Sequence, residues 1–293
     1  MQMKIYIKKL KFIPVVFGLT AILFGACTED IYPSFDSTTT RLVVDGSITT
    51  DTTEQQVTLL KSGDPLNRNP LLYVSNAIVS ITDGTDTYNL TEDSVKKGVY
   101  KTKPNVFGKI GKKYTLNISN VDINNDGVFE NYSASDSIKE INPIDSFKIV
   151  YQVNGPQDKG WLVLLYSRDI GGRNFYAIKI KKNDVLITDS LKEISISPNT
   201  GFEGRYYTGL SVYALSDSKR DERLKIGDKI TMELEGITEE YFNFIDGSKQ
   251  ESQPKIPIFS GPSANVLTNI KSTNNAVGFF AAYSIQRKSL IYK

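Results

Sequence analysis

The sequence contains no histidine, one cysteine and one tryptophan among 293 residues. Without His, neither a Ser-His-Asp nor a Cys-His nucleophile can be assembled, and a zinc site lacks its usual nitrogen ligands. A single thiol cannot close an internal disulfide. Long hydrophobic runs are missing too. The longest apolar stretch, Phe12 to Phe24, spans 13 residues and contains Pro14, whereas a membrane-spanning helix needs ~20. One common hydrolytic chemistry stays open: a glycosidase needs only two suitably spaced carboxyls, and 33 Asp and Glu supply pairs by number alone.

What is present begins with an address. Lys4, Lys8, Lys9 and Lys11 surround the start of the apolar stretch, and Gly25-Ala26 place small residues before Cys27. This is the pattern of a secretory signal over residues 1–26. Leu23-Phe24-Gly25-Ala26-Cys27 resembles a bacterial lipobox, in which the thiol takes a diacylglycerol and the freed amine is acylated. At ~0.8 kcal/mol per buried CH₂, several acyl chains hold a protein on a membrane essentially permanently. The plainer reading is a chance cysteine in an ordinary signal peptide. Glu29 and Asp30 follow directly and resemble the signal that carries Bacteroidota lipoproteins to the outer face of the outer membrane; a solvated tether explains two acids equally simply.

Cleavage also changes the charge. Segment 1–26 carries four lysines and no acid, so 31 basic residues remain against 33 acidic, a net of −2. The apparent basicity belongs to the signal, and no nucleic-acid partner is expected.

Beyond a polar tether over 27–40, strand patterns follow one another. Arg41 to Ile48, Gln55 to Leu60, Ala77 to Thr82, Thr87 to Leu90, Gly98 to Tyr100, Lys113 to Ile118 and Asn131 to Ala134 alternate or are β-branched, and Asp83-Gly84 marks a hairpin turn. About seven short strands predict an immunoglobulin- or transthyretin-like β-sandwich over 41–140. Pro143 marks a linker. A second, β-rich domain over 141–293 is expected from Ser146 to Val153, Trp161 to Tyr166, Phe175 to Lys181, Tyr206 to Leu215 and Lys229 to Leu234. It also carries one short helix, with Thr238 as N-cap and Gly247 as its end. Two closing strands, Val277 to Ile285 and Ser289 to Tyr292, complete a mainly β chain.

Two local motifs suggest sites. Asp122, Asn124 and Asp126 with Gly127 repeat the D-x-[DN]-x-[DN]-G start of a calcium loop, whose alternating oxygens converge on one centre. The twelfth position is Ser133 rather than Glu, and Glu130 comes too early, so an ordinary polar hairpin loop is the leading reading and calcium the alternative. Trp161 sits in an apolar strand and is expected to be buried. Among the sixteen Tyr and fourteen Phe, most fit cross-strand or core positions. Phe202, Arg205 and Tyr206, bounded by Gly201 and Gly204, are candidates for a ligand- or partner-binding lip.

Cys27, Leu42-Val-Val-Asp-Gly46, Gln56-Val-Thr-Leu59, Ala77-Ile-Val-Ser-Ile81, Gly98-Val-Tyr100, Gly111-Lys-Lys-Tyr-Thr-Leu116, Asn269 and Gly278-Phe-Phe-Ala-Ala282 together resemble an uncharacterised family of Bacteroidota lipoproteins, built on domain of unknown function 4249. The resemblance spans nearly the whole chain after Cys27. It implies an accessory role beside a TonB-dependent outer-membrane receptor and supplies no catalytic residues. The expectation is a non-enzymatic, lipid-anchored, outward-facing outer-membrane protein that assists nutrient capture. An adhesin-like surface module and a carboxylate-dependent glycan hydrolase are the alternatives.

Overall fold

Apolar and polar side chains alternate along most of the chain after residue 41, and a period of two is satisfied only by strands with one face on a core. The structure, a computed structural model, describes residues 40–63, 72–153, 155, 159–253, 266–272 and 276–293. The first half contains β1 (Leu42–Thr49), β2 (Gln56–Lys61), β3 (Leu72–Tyr73), β4 (Ile78–Thr82), β5 (Thr87–Glu92), β6 (Val99–Lys101), β7 (Lys113–Val121) and β8 (Glu130–Ser137). The second contains β9 (Ser146–Val153), β10 (Lys159–Arg168), β11 (Phe175–Lys182), β12 (Val185–Leu186), β13 (Ser195–Pro198), β14 (Tyr206–Ser216), β15 (Lys229–Ile237), helix α1 (Glu239–Glu251) and β16 (Val277–Ile291). The chain is mainly β, with one helix among the described residues.

Thirteen strands form one sheet, eleven of them along the hydrogen-bonded path β12-β11-β15-β16-β1-β2-β6-β5-β4-β7-β8, with β13 added to β11 and β3 to β2; a second sheet has the order β14-β10-β9. The long path folds back through β5, which pairs with β6 and with β4. Strands β4, β7 and β8 thereby face β1 and β2 across a first core that includes Leu42, Leu59, Ile81, Leu116, Ile118 and Phe280. The small sheet covers β11 and β15 across a second core, with Trp161, Val163 and Leu165 meeting Ile178, Ile180, Met232 and Leu234. Trp161 is buried, and its indole N–H donates to the Tyr292 hydroxyl at 2.8 Å. A third core lies under α1, where Ile245 and Phe242 meet Phe175, Phe279 and Ala281.

β16 joins all three. Its first half runs parallel to β1, Val43 opposite Val277 through Thr49 opposite Tyr283, and its second half runs antiparallel to β15. Phe280 and Ala282 enter the first core, Phe279 and Tyr283 the third, and Leu290 packs against the second. The two large cores divide the sequence near residue 140, yet residues 39–293 form one compact unit. Asn269 fastens the junction: its amide N–H₂ donates to Phe280 O at 2.8 Å and Ser135 O at 3.3 Å, and its carbonyl accepts from Phe280 N.

Two local expectations change. The closing strands are one strand, because Arg287 stands directly opposite Glu233 of β15 and pairs with it, so the polar interruption continues the ladder. The helix continues through Gly247 to Glu251. Gly247 adopts no left-handed conformation there, and Ser252 supplies the stop, its amide donating to Ser248 O at 3.1 Å. A mid-helix glycine costs ~1 kcal/mol, which the aromatic face packed on β16 offsets. The start is as expected, with the Thr238 hydroxyl accepting from Tyr241 N.

Candidate functional site

The space between the sheets of the second half gapes at one margin. β13 pairs with β11 so that Ser195 lies opposite Ile178 and Ser197 opposite Tyr176. Both partners belong to the second core, so the core-facing positions of β13 carry hydroxyls where a closed strand would carry apolar side chains. Across the gap, β14 shifts register against β10 twice, between Val163 and Leu164 and between Leu165 and Tyr166. Such bulges break strict alternation, and Leu210, Ser211 and Val212 all reach the gap. A cavity of about 230 Å³ results. Leu165, Ile178 and Leu234 give it apolar walls, and Ser195, Ser197, Asn199 and Ser211 give it polar ones.

Asp169 organises one end. It is buried, and its Oδ1 accepts from Gly171 N at 2.8 Å and Gly204 N at 2.9 Å. Its Oδ2 accepts from the Tyr207 hydroxyl at 2.8 Å, and the Tyr176 hydroxyl oxygen lies 3.3 Å from it. The Asn199 amide straddles both oxygens at 3.2 and 3.1 Å. Burial pushes the carboxyl up, but the Gly204 amide, the Tyr207 hydroxyl and the remaining donors outweigh it and hold the carboxyl below its usual range. Burial and the same carboxylate push the Tyr176 and Tyr207 hydroxyls well above theirs. Asn142 completes the end, accepting from the Tyr176 hydroxyl at 2.8 Å.

The expected lip separates. Phe202 lines the cavity and packs edge-to-face on Tyr207, with centroids 5.5 Å apart. Arg205 contributes its backbone, its carbonyl accepting from Asp169 N at 2.9 Å. Tyr206 faces outward beneath the Arg168 guanidinium, 5.9 Å from the ring centroid, and a hydrogen bond to Asp145 pushes its hydroxyl up. Alternation along β14 sends Tyr207 inward and Tyr206 outward. Sequence reasoning missed Asn142, Asp169, Tyr176 and Asn199, which lie on separate elements; the Asp-Ile-Gly-Gly run from Asp169 to Gly172 was the one local signal of a constrained carboxylate.

Cys27, Glu29 and Asp30 lie outside the described residues. Asp122, Asn124 and Asp126 sit in the loop between β7 and β8 and use their oxygens on the loop's own amides. Asp122 accepts from Asp126 N and Gly127 N, Asn124 from Asp126 N, and Asp126 from Val128 N. The Lys61 ammonium docks on the same loop through Ile123 O at 2.9 Å. Among the described residues, no cluster of three or more His, Cys, Asp or Glu is placed to hold a metal ion.

A second polar cluster lies under α1. Lys179 pairs with Glu235 at 2.6 Å, Lys181 with Glu233 at 3.4 Å, and Arg287 bridges Glu233 and Asp51. The Lys179 ammonium also lies 5.6 Å from the Tyr283 ring centroid. Burial pushes the Glu235 carboxyl up to about 7 against the pull of Lys179. Its cations are all paired, so the cluster reads as a structural clamp that ties β11, β15, β16 and Asp51 together.

No curated protein matches the chain. A family model described as a domain of unknown function matches residues 28–289, from just after Cys27 to within β16, and the chain therefore belongs to the DUF4249 family.

Proposed function

We propose that this protein is an exported lipoprotein, acylated at Cys27 and displayed on the outer membrane, where it serves as a non-catalytic accessory to a TonB-dependent receptor in nutrient capture. One observation carries the binding role. The cavity between β13 and β14 is lined by hydroxyls, amides and apolar side chains, with no carboxylate, ammonium or guanidinium among its described lining residues. Glycan hydrolysis by an acid pair needs two carboxyls facing one cleft. Asp169, beside this cavity, has its oxygens occupied by amides and hydroxyls. The lipobox pattern supports the anchor, and the resemblance to Bacteroidota lipoproteins supports the receptor.

The test is a mild crosslinking pull-down of the tagged protein from intact cells, read by mass spectrometry. Near-stoichiometric recovery of one TonB-dependent receptor supports the role; recovery of none removes it. A second reading, adhesion, draws on β9, an edge strand whose Val150, Tyr151 and Val153 are 45%, 45% and 58% exposed. An exposed apolar edge invites pairing with another chain. Extracellular proteins in the pull-down, without a receptor, favour that reading.

A further inference from the structure

We propose that the cavity between β13 and β14 binds a neutral, hydroxylated ring, with a single uncharged sugar unit as its ligand class. The inference deepens the binding role above and rests on it, but it does not depend on lipidation or on a receptor.

Four features select this chemistry. The first is charge: no described lining residue carries a formal charge, and the oxygens of neighbouring Asp169 are taken up by its own donors, so an ionic group entering the gap would lose water and meet no free counter-ion. The second is size. About 230 Å³ corresponds to roughly eight waters at the ~30 Å³ that each occupies in the liquid, enough for one ring and too little for a chain of them.

The third is the pattern of polar groups. The Ser195 hydroxyl, on the core-facing side of β13, lines the gap and bonds to no other group among the described residues. It offers a donor and two acceptor sites, the repertoire that a sugar hydroxyl needs. Tyr207 and Asn199, in contrast, are locked by Asp169 and give that end a fixed shape before any ligand arrives. The fourth is Phe202, 41% exposed and held edge-to-face by Tyr207, which presents an aromatic surface to the C–H face of a ring while Ser195 meets a ring hydroxyl.

The test is saturation-transfer NMR on the purified full chain, in a detergent that carries no sugar. The probes are glucose, galactose, mannose and N-acetylglucosamine, with glucuronic acid and glucosamine as charged counterparts. Neutral sugars are expected to receive saturation with dissociation constants of millimolar order, and the charged ones to bind about tenfold more weakly or not at all. Ser195→Ala is expected to weaken binding about fivefold by removing one hydroxyl. Ser195→Phe places a ring in the gap and is expected to abolish transfer, with the melting temperature checking that the fold is kept.

Absence of transfer to every neutral sugar overturns the proposal. So does equal binding of the charged sugars, or wild-type binding by a folded Ser195→Phe protein. No receptor is present in this assay, so its failure leaves the pull-down result standing, and an empty pull-down leaves the sugar assay standing.

Discussion

Replacing Asp169 with alanine removes the acceptor on which the 171–172, 199 and 204 turns converge. Four contacts lie within ordinary hydrogen-bond range at 2.8 to 3.1 Å, from Gly171 N, Gly204 N, the Tyr207 hydroxyl and the Asn199 amide. Bonds to an ionised acceptor contribute ~1.5–3 kcal/mol each, a gross loss of about 6 kcal/mol or more. Two effects act against it: the variant no longer buries a carboxylate, and the adjoining cavity admits water to re-satisfy some donors. The net expectation is about 3 kcal/mol. At ~2–4 °C per kcal/mol for a domain of this size, the thermal midpoint should fall by about 10 °C, measured by circular dichroism at neutral pH. Acid supplies a second check. Because the folded carboxyl is held below its usual value of 3.8, its contribution is present above that value and lost as pH falls through the lower folded one. The gap between wild type and Asp169→Ala should therefore close in strong acid. A loss below ~1 kcal/mol at neutral pH, or a gap that persists in acid, would refute the assignment of Asp169 as the organiser of the cavity.

Gly278 adopts φ +98°, and a Cβ there would lie 1.9 Å from Val44 O on the parallel neighbour. Gly278→Ala should cost more than ~3 kcal/mol in urea unfolding, since backbone rather than a flexible side chain must yield. Glu235 titrates about 7 when folded against an ordinary 4.5, so its contribution to stability is full below about 4.5 and is lost as pH rises through about 7. Glu235→Gln should remove that decline from the pH profile of chemical denaturation and leave a lower step from Asp136, whose carboxyl burial pushes up to about 6. Cys27→Ala should abolish incorporation of radiolabelled fatty acid and release the protein from the membrane fraction.

Much of the fold was legible because one-sided burial imposes alternation. Lys113-Tyr-Thr-Leu-Asn-Ile118 buries Tyr114, Leu116 and Ile118 in β7, and the apolar positions alone reveal it. Asp83 was equally readable: its side chain accepts from Thr85 N and Asp86 N in the turn between β4 and β5. β13 was not legible. Ser-Ile-Ser-Pro puts hydroxyls on its core-facing side and is only four residues long, so it lacks the signal by which a strand is found. The cavity was hidden for the same reason, because the feature that keeps it open also erases the pattern. Phe202 could be singled out by its flanking glycines, whereas Tyr207 could not be told from Tyr206 without the register of β14 against β10. The convergence of Asn142, Asp169, Tyr176 and Asn199 is set by pairings between distant segments, which no local window contains.

The place of β16 in the molecule also bears on how it matures. A chain that emerges N-terminus first has the strands of its first core long before Phe280 and Ala282, the residues that fill it, and before the parallel partner of β1 exists. Contacts of such long sequence separation form slowly, so the edge of β1 stays unpaired until nearly the whole chain has appeared. A growing chain is thereby kept from locking prematurely into a folded domain, while its waiting strand edge remains open to aggregation.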